Sequence, residues 1–172
     1  MIRLAKAEDL DFVAESYVEL LTFEQEHGGH SNWVLNVYPT RQTAQTSWEA
    51  GTLYVLWEDG QLCASMILNQ VQPVDYAQIP WSIPAREEEV FVIHTLCIPP
   101  AKAGKGYGRQ MVQYALEQAK ARGCKAVRLD TYAGNEPAAA FYQKLGFCYA
   151  GRASVLFQGQ IPEEQIFFEK EP

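Results

Sequence analysis

Apolar residues along the chain follow two different spacings, one typical of helices and one typical of strands. Between Glu8 and Glu26 they recur every three or four positions, which predicts an amphipathic helix with one buried stripe. The same spacing predicts three further helices, over 40–50, 108–122 and 135–145. Asn135 is placed to cap the last of these, with Pro137 in its first turn and Gly146 just past its end.

Short runs rich in apolar and β-branched residues, bounded by turn residues, predict the strands. These runs cover 2–5, 52–57, 62–70, 90–98, 126–131, 147–154 and 165–169. Asp59-Gly60 is a preferred hairpin turn and joins the second run to the third. The segment 71–88 carries three prolines and a tryptophan and is predicted to be a long loop. The order of the elements predicts an α/β fold around one central sheet.

Composition narrows the class of protein. A length of 172 residues and an apolar share of 48% predict a single domain over 1–172. The net charge of −7 argues against a nucleic-acid partner, because binding to the phosphate backbone needs an excess of Lys and Arg. No run approaches the ~18 apolar residues of a membrane span, and the first residues lack the apolar core of a signal peptide. We therefore expect a cytoplasmic protein with no membrane partner.

Cysteine and histidine spacing gives no sign of a metal site. No two cysteines form a CxxC pair, so all four are expected to be buried, reduced thiols. The four are Cys63, Cys97, Cys124 and Cys148. His27 and His30 flank two glycines, and no further ligands stand at a suitable spacing, so no metal is expected.

The most informative segment is a buried strand that runs into a glycine-rich turn, which then opens a helix. The turn carries Gly104, Gly106 and Gly108. Backbone N–H groups at a helix start, beside a positive helix terminus, favour an anion such as a phosphate. Three cations lie in the same stretch, Lys102, Lys105 and Arg109. The glycine spacing does not match a Walker A loop or a dinucleotide fingerprint.

The stretch from His94 to Gly151 resembles the GNAT superfamily of N-acetyltransferases. Leu96-Cys97-Ile98-Pro99 matches the strand of that family, and 103–108 matches its pyrophosphate loop. The second family motif is matched by Asn135, Phe141-Tyr142 and Gly146-Phe147. One departure is Ala103, at a position where the family usually has Arg or Gln.

This resemblance implies a single GNAT-type domain with a central mixed sheet, flanked by helices, in which strands 89–98 and 126–131 are parallel and splayed. An acceptor-side half would cover about 1–88 and an acetyl-CoA-binding half about 89–172. Acetyl-CoA is then the cosubstrate. The residues expected to bind it are Leu96, Cys97, Ile98, Ala103, Gly104, Lys105, Gly106, Tyr107, Gly108, Arg109, Asn135 and Tyr142.

The resemblance also implies direct transfer of the acetyl group to a primary amine in a ternary complex. Tyr142 is the candidate general acid for the leaving thiolate. His94 is the candidate base, because strand alternation would put it on the same face as Leu96; a water chain is the alternative. Glu88 and Glu89 are the runners-up as base, and Glu88 is expected to lie too far from the acyl end, at a solvated loop edge.

The acceptor itself is not specified by the sequence, and a small molecule or a peptide amine both fit. His30, Trp33, Tyr38 and Trp81 are candidate walls of the acceptor pocket, with packing inside the protein as the alternative for each. The rival function is a non-catalytic acyl-CoA-binding module, for which His94 and Tyr142 would have no use. A strand near Gln165, if exposed, could pair across a homodimer.

Overall fold

The computed structural model describes the whole chain, from Met1 to Pro172. Its four α-helices are α1 (Leu10–His27), α2 (Arg41–Glu49), α3 (Tyr107–Ala121) and α4 (Glu136–Lys144). Its seven strands are β1 (Ile2–Leu4), β2 (Leu53–Glu58), β3 (Gln61–Asn69), β4 (Val90–Cys97), β5 (Ala126–Tyr132), β6 (Cys148–Phe157) and β7 (Ile161–Lys170). Short 3-10 turns lie at Ala7–Asp9, Val74–Gln78, Glu87–Glu89 and Pro100–Lys102. The predicted order of helices and strands is confirmed.

The strands form one mixed, open sheet in the order β1-β2-β3-β4-β5-β7-β6. β4 and β5 are parallel, and they pair only where Val90–Val92 faces Ala126–Arg128. Both strands continue beyond that short ladder, β4 to Cys97 and β5 to Tyr132. The predicted α/β class and the mixed sheet with a splayed parallel pair are therefore confirmed.

Strand β7 differs from its prediction in two ways. It begins at Ile161 and not near Gln165, because Pro162 and two glutamates disfavour strand by composition and conceal its first half. It is also not an edge, since β7 pairs with β5 on one side and β6 on the other. The expectation that the strand near Gln165 is exposed and could pair across a dimer is wrong.

Contacts divide the chain into two compact units. The first consists of 1–29, 33–68 and 94–114, and the second consists of 30–32, 69–93 and 115–172. In the first unit, the stripe predicted on α1 is buried against β2, β3 and the end of β4. The core residues of this unit are Leu10, Val13, Tyr17, Ala44, Leu53, Val55, Ile67 and Cys97.

In the second unit, the predicted long loop packs against the sheet. Its buried residues Tyr76 and Ile79 join a core formed by strands β4 to β7, and Trp81 is half-buried against the same cluster. The sheet residues of that core are Val90, Val92, Ala126, Ala153, Val155 and Phe167. A segment with few backbone ladder bonds is thus held in place by its apolar side chains.

A buried charge also holds this segment. Arg128 and Glu169 form an ion pair at 3.8 Å, with side chains only 6% and 3% exposed. Glu169 accepts hydrogen bonds from the backbone N–H groups of Ser82 and Ile83, at 2.6 and 3.2 Å. Arg128 donates to the Ile83 carbonyl at 3.1 Å and to Gln72 at 2.8 Å. Burial lowers the pKa of Arg128, and the charge of Glu169 opposes that shift.

Three of the four cysteines are buried free thiols, as predicted. Cys148 is exposed, so the prediction is wrong for this residue. The reason is its place at the start of β6, which is the last strand of the sheet. No helix in the structure combines the length and the apolar character needed to cross a membrane.

The ion pair predicts that two substitutions in β7 change the free energy of unfolding by different amounts. Glu169→Gln removes the charge opposite buried Arg128, and we expect it to lower the free energy of unfolding in urea by about 3 kcal/mol. Glu164→Gln is the matched control, because the pair between Arg152 and Glu164 is solvent-exposed and contributes little. Equal losses in the two variants would contradict a structural role for the buried charge.

Candidate functional site

The glycine-rich turn is open in front of the helix it starts. Gly104 and Gly106 have φ values of +74° and +82°, a region that suits glycine. The Gln110 N–H donates to the Gly106 carbonyl at 3.1 Å, so the hydrogen bonding of α3 begins here and the N–H groups before it lack intrahelical acceptors. A Cβ atom built on either glycine meets nothing within 4 Å. The turn therefore leaves room for an anionic group against its backbone.

Two side chains tie this turn to the hairpin between β2 and β3. The Tyr107 hydroxyl donates to the Glu58 carboxylate, and the Lys102 ammonium donates to Gln61. The hydrogen bond to Glu58, and to a smaller extent the one with Cys63, raises the pKa of Tyr107. Tyr107 was predicted to bind the cofactor; its phenol is engaged by the hairpin, so its side chain anchors the turn.

The strand before the turn is not regular. Thr95 has a φ of +45°, which is a strained value for a β-branched residue. This residue separates His94 from Leu96, so the extended backbone of β4 is interrupted between the two. His94, Leu96 and Ile98 are half-buried, while Cys97 is buried. Burial raises the pKa of the Cys97 thiol to about 12, which keeps it protonated and unreactive.

Tyr38 holds the irregular residue. Its hydroxyl shares a hydrogen bond with the Thr95 hydroxyl, and both residues are buried. Trp33 packs edge-on against the Tyr38 ring, with centroids 5.9 Å apart. Tyr38 is therefore packed inside the protein, which was the alternative to a place in the wall of the acceptor pocket.

The other two candidate wall residues lie in the second unit. His30 is exposed, in the segment 30–32. Trp81 donates its indole N–H to the Tyr76 carbonyl at 2.9 Å and lies over the Arg128 guanidinium at 4.3 Å. Trp81 thus packs within the second unit.

The predicted cap on α4 is present. Asn135 accepts a hydrogen bond from the Ala138 N–H at 3.1 Å. Two turns later, Tyr142 is buried against Phe147 and Phe168, with ring centroids 5.6 and 6.3 Å away. Burial and the nearby charge of Asp130 raise the pKa of Tyr142, so the phenol keeps its proton at neutral pH. A group in that state can donate a proton.

Asp130 was missed by the sequence analysis. It lies on β5, two residues beyond the short ladder with β4, and accepts a hydrogen bond from the Tyr76 hydroxyl at 2.7 Å. Burial raises the pKa of Asp130 to about 6, although the bond from Tyr76 opposes the shift. The sequence did contain a signal for Asp130, because an acidic residue inside an apolar strand must either have a partner or have a shifted pKa.

Glu163 was missed as well. It is half-buried near the start of β7, and its Oε1 atom is buried without a hydrogen-bond partner. Burial raises the pKa of Glu163 to about 7, while hydrogen bonds with Gln165 and Asn32 act in the opposite direction. Its strand was not recognised at this position, which is why the residue was overlooked.

Glu89 and His27 are both engaged by neighbouring residues. Glu89 pairs with Arg86 and Lys125, both at 3.1 Å, and hydrogen bonds from the Arg86 backbone and side chain lower its pKa to about 2. His27 contacts the Phe23 carbonyl at 3.1 Å and stacks on the Phe23 ring. No group of three or more His, Cys, Asp or Glu side chains is arranged to hold a metal ion.

Comparison with known proteins identifies the family. The model of the acetyltransferase (GNAT) family matches residues 16–147, which is most of the chain. The chain belongs to the GNAT acetyltransferase family. The turn at 103–108 and the capped helix with Tyr142 both lie inside the matched region, and the predicted family is confirmed.

GNAT relatives resemble the chain in sequence and in fold. Streptothricin acetyltransferase of Streptomyces lavendulae is 34% identical over 71 residues, which are 41% of this chain and 38% of that protein. A GNAT acetyltransferase of Streptococcus agalactiae superposes with a TM-score of 0.82 at 22% identity, over 100% of this chain and 95% of that one. The protein yncA of Salmonella typhimurium, solved with its cofactor acetyl-CoA, has a TM-score of 0.70 at 16% identity, over 99% and 92%.

The curated GNAT relatives are mostly longer proteins than this chain. The matched stretches cover between 30% and 65% of their own lengths. The family and the names of these relatives support the predicted enzyme class, an N-acetyltransferase.

The hydrogen bond between Tyr38 and Thr95 predicts a specific stability change. Tyr38→Phe removes the bond that holds the strained backbone of Thr95, and we expect it to lower the free energy of unfolding by about 1 kcal/mol. Thr95→Ser keeps a hydroxyl at the same place and serves as the control, with little change expected. The bond is not responsible if Tyr38→Phe lowers the free energy of unfolding as much in a Thr95→Val background as in the wild type.

Proposed function

We propose that the protein is an acetyl-CoA-dependent N-acetyltransferase that acetylates a primary amine by direct attack in a ternary complex. The observation that carries the proposal is the open glycine turn at the start of α3, combined with a capped helix that presents a protonated tyrosine. Membership of the GNAT family supports the same activity. The binding of acetyl-CoA by yncA, which shares the fold, supports the choice of cosubstrate.

The turn fits the pyrophosphate of coenzyme A on its own geometry. The space in front of Gly104 and Gly106 is open, and the neighbouring N–H groups are those of a helix start. Ala103 supplies no side-chain donor, so backbone groups would hold the anion, with Lys105 and Arg109 as exposed cations beside it. Bound there, acetyl-CoA would supply the acetyl group as a thioester.

The remaining cofactor contacts follow the resemblance. Backbone groups of Leu96, Cys97 and Ile98 would pair with the pantetheine arm, and an N–H in this stretch would polarise the thioester carbonyl. Asn135 would contribute by fixing the start of α4. For Cys97, the pKa of about 12 leaves the backbone as its only contribution.

Tyr142 is the proposed general acid. The leaving sulfur needs a proton, and a phenol that stays protonated at neutral pH can supply it. A base must also remove a proton from the attacking amine, which is protonated near neutral pH. His94 is the candidate from the resemblance and stays a prediction, with a water chain as the alternative.

The glycine turn gives a direct test of coenzyme A binding. Gly106→Ala forces an alanine into a φ of +82°, so the backbone must shift, and we expect the affinity for coenzyme A to fall by at least ~5-fold. Gly159→Ala places alanine at a φ of +68°, also with nothing within 4 Å of the new Cβ, and controls for the backbone strain. Calorimetric titration with coenzyme A measures both. Equal affinities in the two variants would rule out the turn as the binding site.

The acid is tested by thiol release from acetyl-CoA in the presence of a panel of primary amines. Tyr142→Phe removes the proton donor, and we expect kcat to fall at least ~10-fold with coenzyme A affinity kept. Tyr149→Phe is the matched control, because Tyr149 also packs on Phe168, at 6.2 Å, but is exposed. Tight coenzyme A binding without turnover of any amine by the wild type would favour a non-catalytic binding module.

A further inference from the structure

The second unit contains a pair of carboxyl groups that the proposed acid and cofactor turn do not use. Asp130 on β5 is the ladder partner of Phe167 on β7. Glu163 precedes Phe167 by four residues, and strand alternation therefore puts all three side chains on one face of the sheet. Tyr76, from the segment that covers this face, donates to Asp130 at 2.7 Å.

This pair lies at the open end of β5. Pairing with β4 ends at Arg128, and Asp130 follows two residues later. Beyond Asp130, β5 stays paired with β7, and the last pair of this ladder is Tyr132 with Gln165. Glu163 lies two residues before Gln165 in β7, just past the end of the ladder. The charge of Asp130 acts on Tyr142, the proposed acid, and raises its pKa. Asp130 thus lies near the proposed proton donor, and Glu163 is linked to it through Asp130.

The pair lacks a positive partner. The groups that set the pKa values of Glu163 and Asp130 are amides, a phenol and other acids, with no cation among them. Arg128, the nearest candidate on the same strand face, is engaged by Glu169, Gln72 and the Ile83 carbonyl. A buried carboxylate oxygen without a donor is costly, and a cation with N–H donors removes that cost. A primary ammonium group has both properties.

We infer that Glu163 is the group that receives the ammonium nitrogen of the acceptor and takes its proton, so that the acceptor class is a cationic amine. This inference rests on the proposed function. In the step, one N–H bond of the ammonium breaks and one O–H bond forms on the Glu163 carboxylate. The nitrogen keeps the electron pair and becomes a neutral nucleophile, and the carboxyl later releases its proton to solvent.

The pH dependence follows from the groups around Glu163. The groups that act on Glu163 are Gln165 on β7, Asn32 in the segment 30–32 and Asp130 on β5. Asp130 in turn is acted on by Tyr76 and Asp75 of the covering segment. Ionised Glu163 is the form that accepts the proton, so kcat/KM is expected to rise with pH through a pKa near 7. A neutral amide at this position relieves the burial of a charge, so Glu163→Gln is expected to keep its melting temperature at pH 8.

The kinetic test compares three variants across pH 5.5 to about 8.5 with an amine that the wild type accepts. Glu163→Gln is expected to lose at least ~10-fold in kcat/KM and to lose the rising limb near pH 7. Glu164→Gln, one residue along and bound to Arg152, is expected to keep both. If His94→Gln abolishes the limb and Glu163→Gln preserves it, His94 is the base and the inference is overturned.

A second readout does not depend on turnover. In protein with 13C-labelled glutamate, the Glu163 carboxyl resonance is assigned by its absence from Glu163→Gln and is titrated with pH. We expect n-butylammonium chloride to lower its midpoint by about 1 pH unit, because a bound cation favours the carboxylate, while n-butanol leaves it unchanged. If the titration midpoint of Glu163 does not change when n-butylammonium is added, the inference is overturned. A shifted midpoint in a protein that turns over no amine would instead refute the proposed catalysis and keep the ammonium site.

Discussion

A buried positive charge is the constraint on which the second unit depends. Arg128 lies at the last residue of β5 that pairs with β4, and its guanidinium is removed from water. Its charge must be compensated inside the protein. The compensation comes from Glu169 and from acceptors in the segment 70–89, with the ring of Trp81 over the guanidinium. That segment therefore covers the sheet, and the same covering leaves Asp130 half-buried beside Tyr76.

The two units contain different candidate residues of the proposed function. The first contains the open glycine turn, its anchors on the hairpin and the strained residue of β4. The second contains the capped helix with Tyr142 and the carboxyl pair. Each part is fixed by its own contacts: Tyr107 and Lys102 bind the hairpin, while Asn135 caps α4. The proposed function needs an anion-binding backbone and a proton donor, and the two candidates for these roles are each positioned by local contacts.

The sequence was informative where the chemistry is local. The glycines at 104 and 106 and the cap at Asn135 act on their immediate neighbours, so spacing alone predicted them. Thr95 could not be predicted, because its positive φ is held by Tyr38 from a distant part of the chain. Glu163 was missed because Pro162 and adjacent charges obscure its strand. The pKa of a carboxyl group depends on its burial by residues that are distant in sequence. A local sequence pattern does not show that burial.

The connection between β6 and β7 has a consequence for the order in which the chain folds. These strands, each ten residues long, form a hairpin closed by a short turn, whereas β4 and β5 are joined through α3. Closing a short loop has the smaller entropic cost, so the hairpin can form early and the parallel pair later. By this loop-closure argument, Glu163 enters its strand before the parallel pair of β4 and β5 forms.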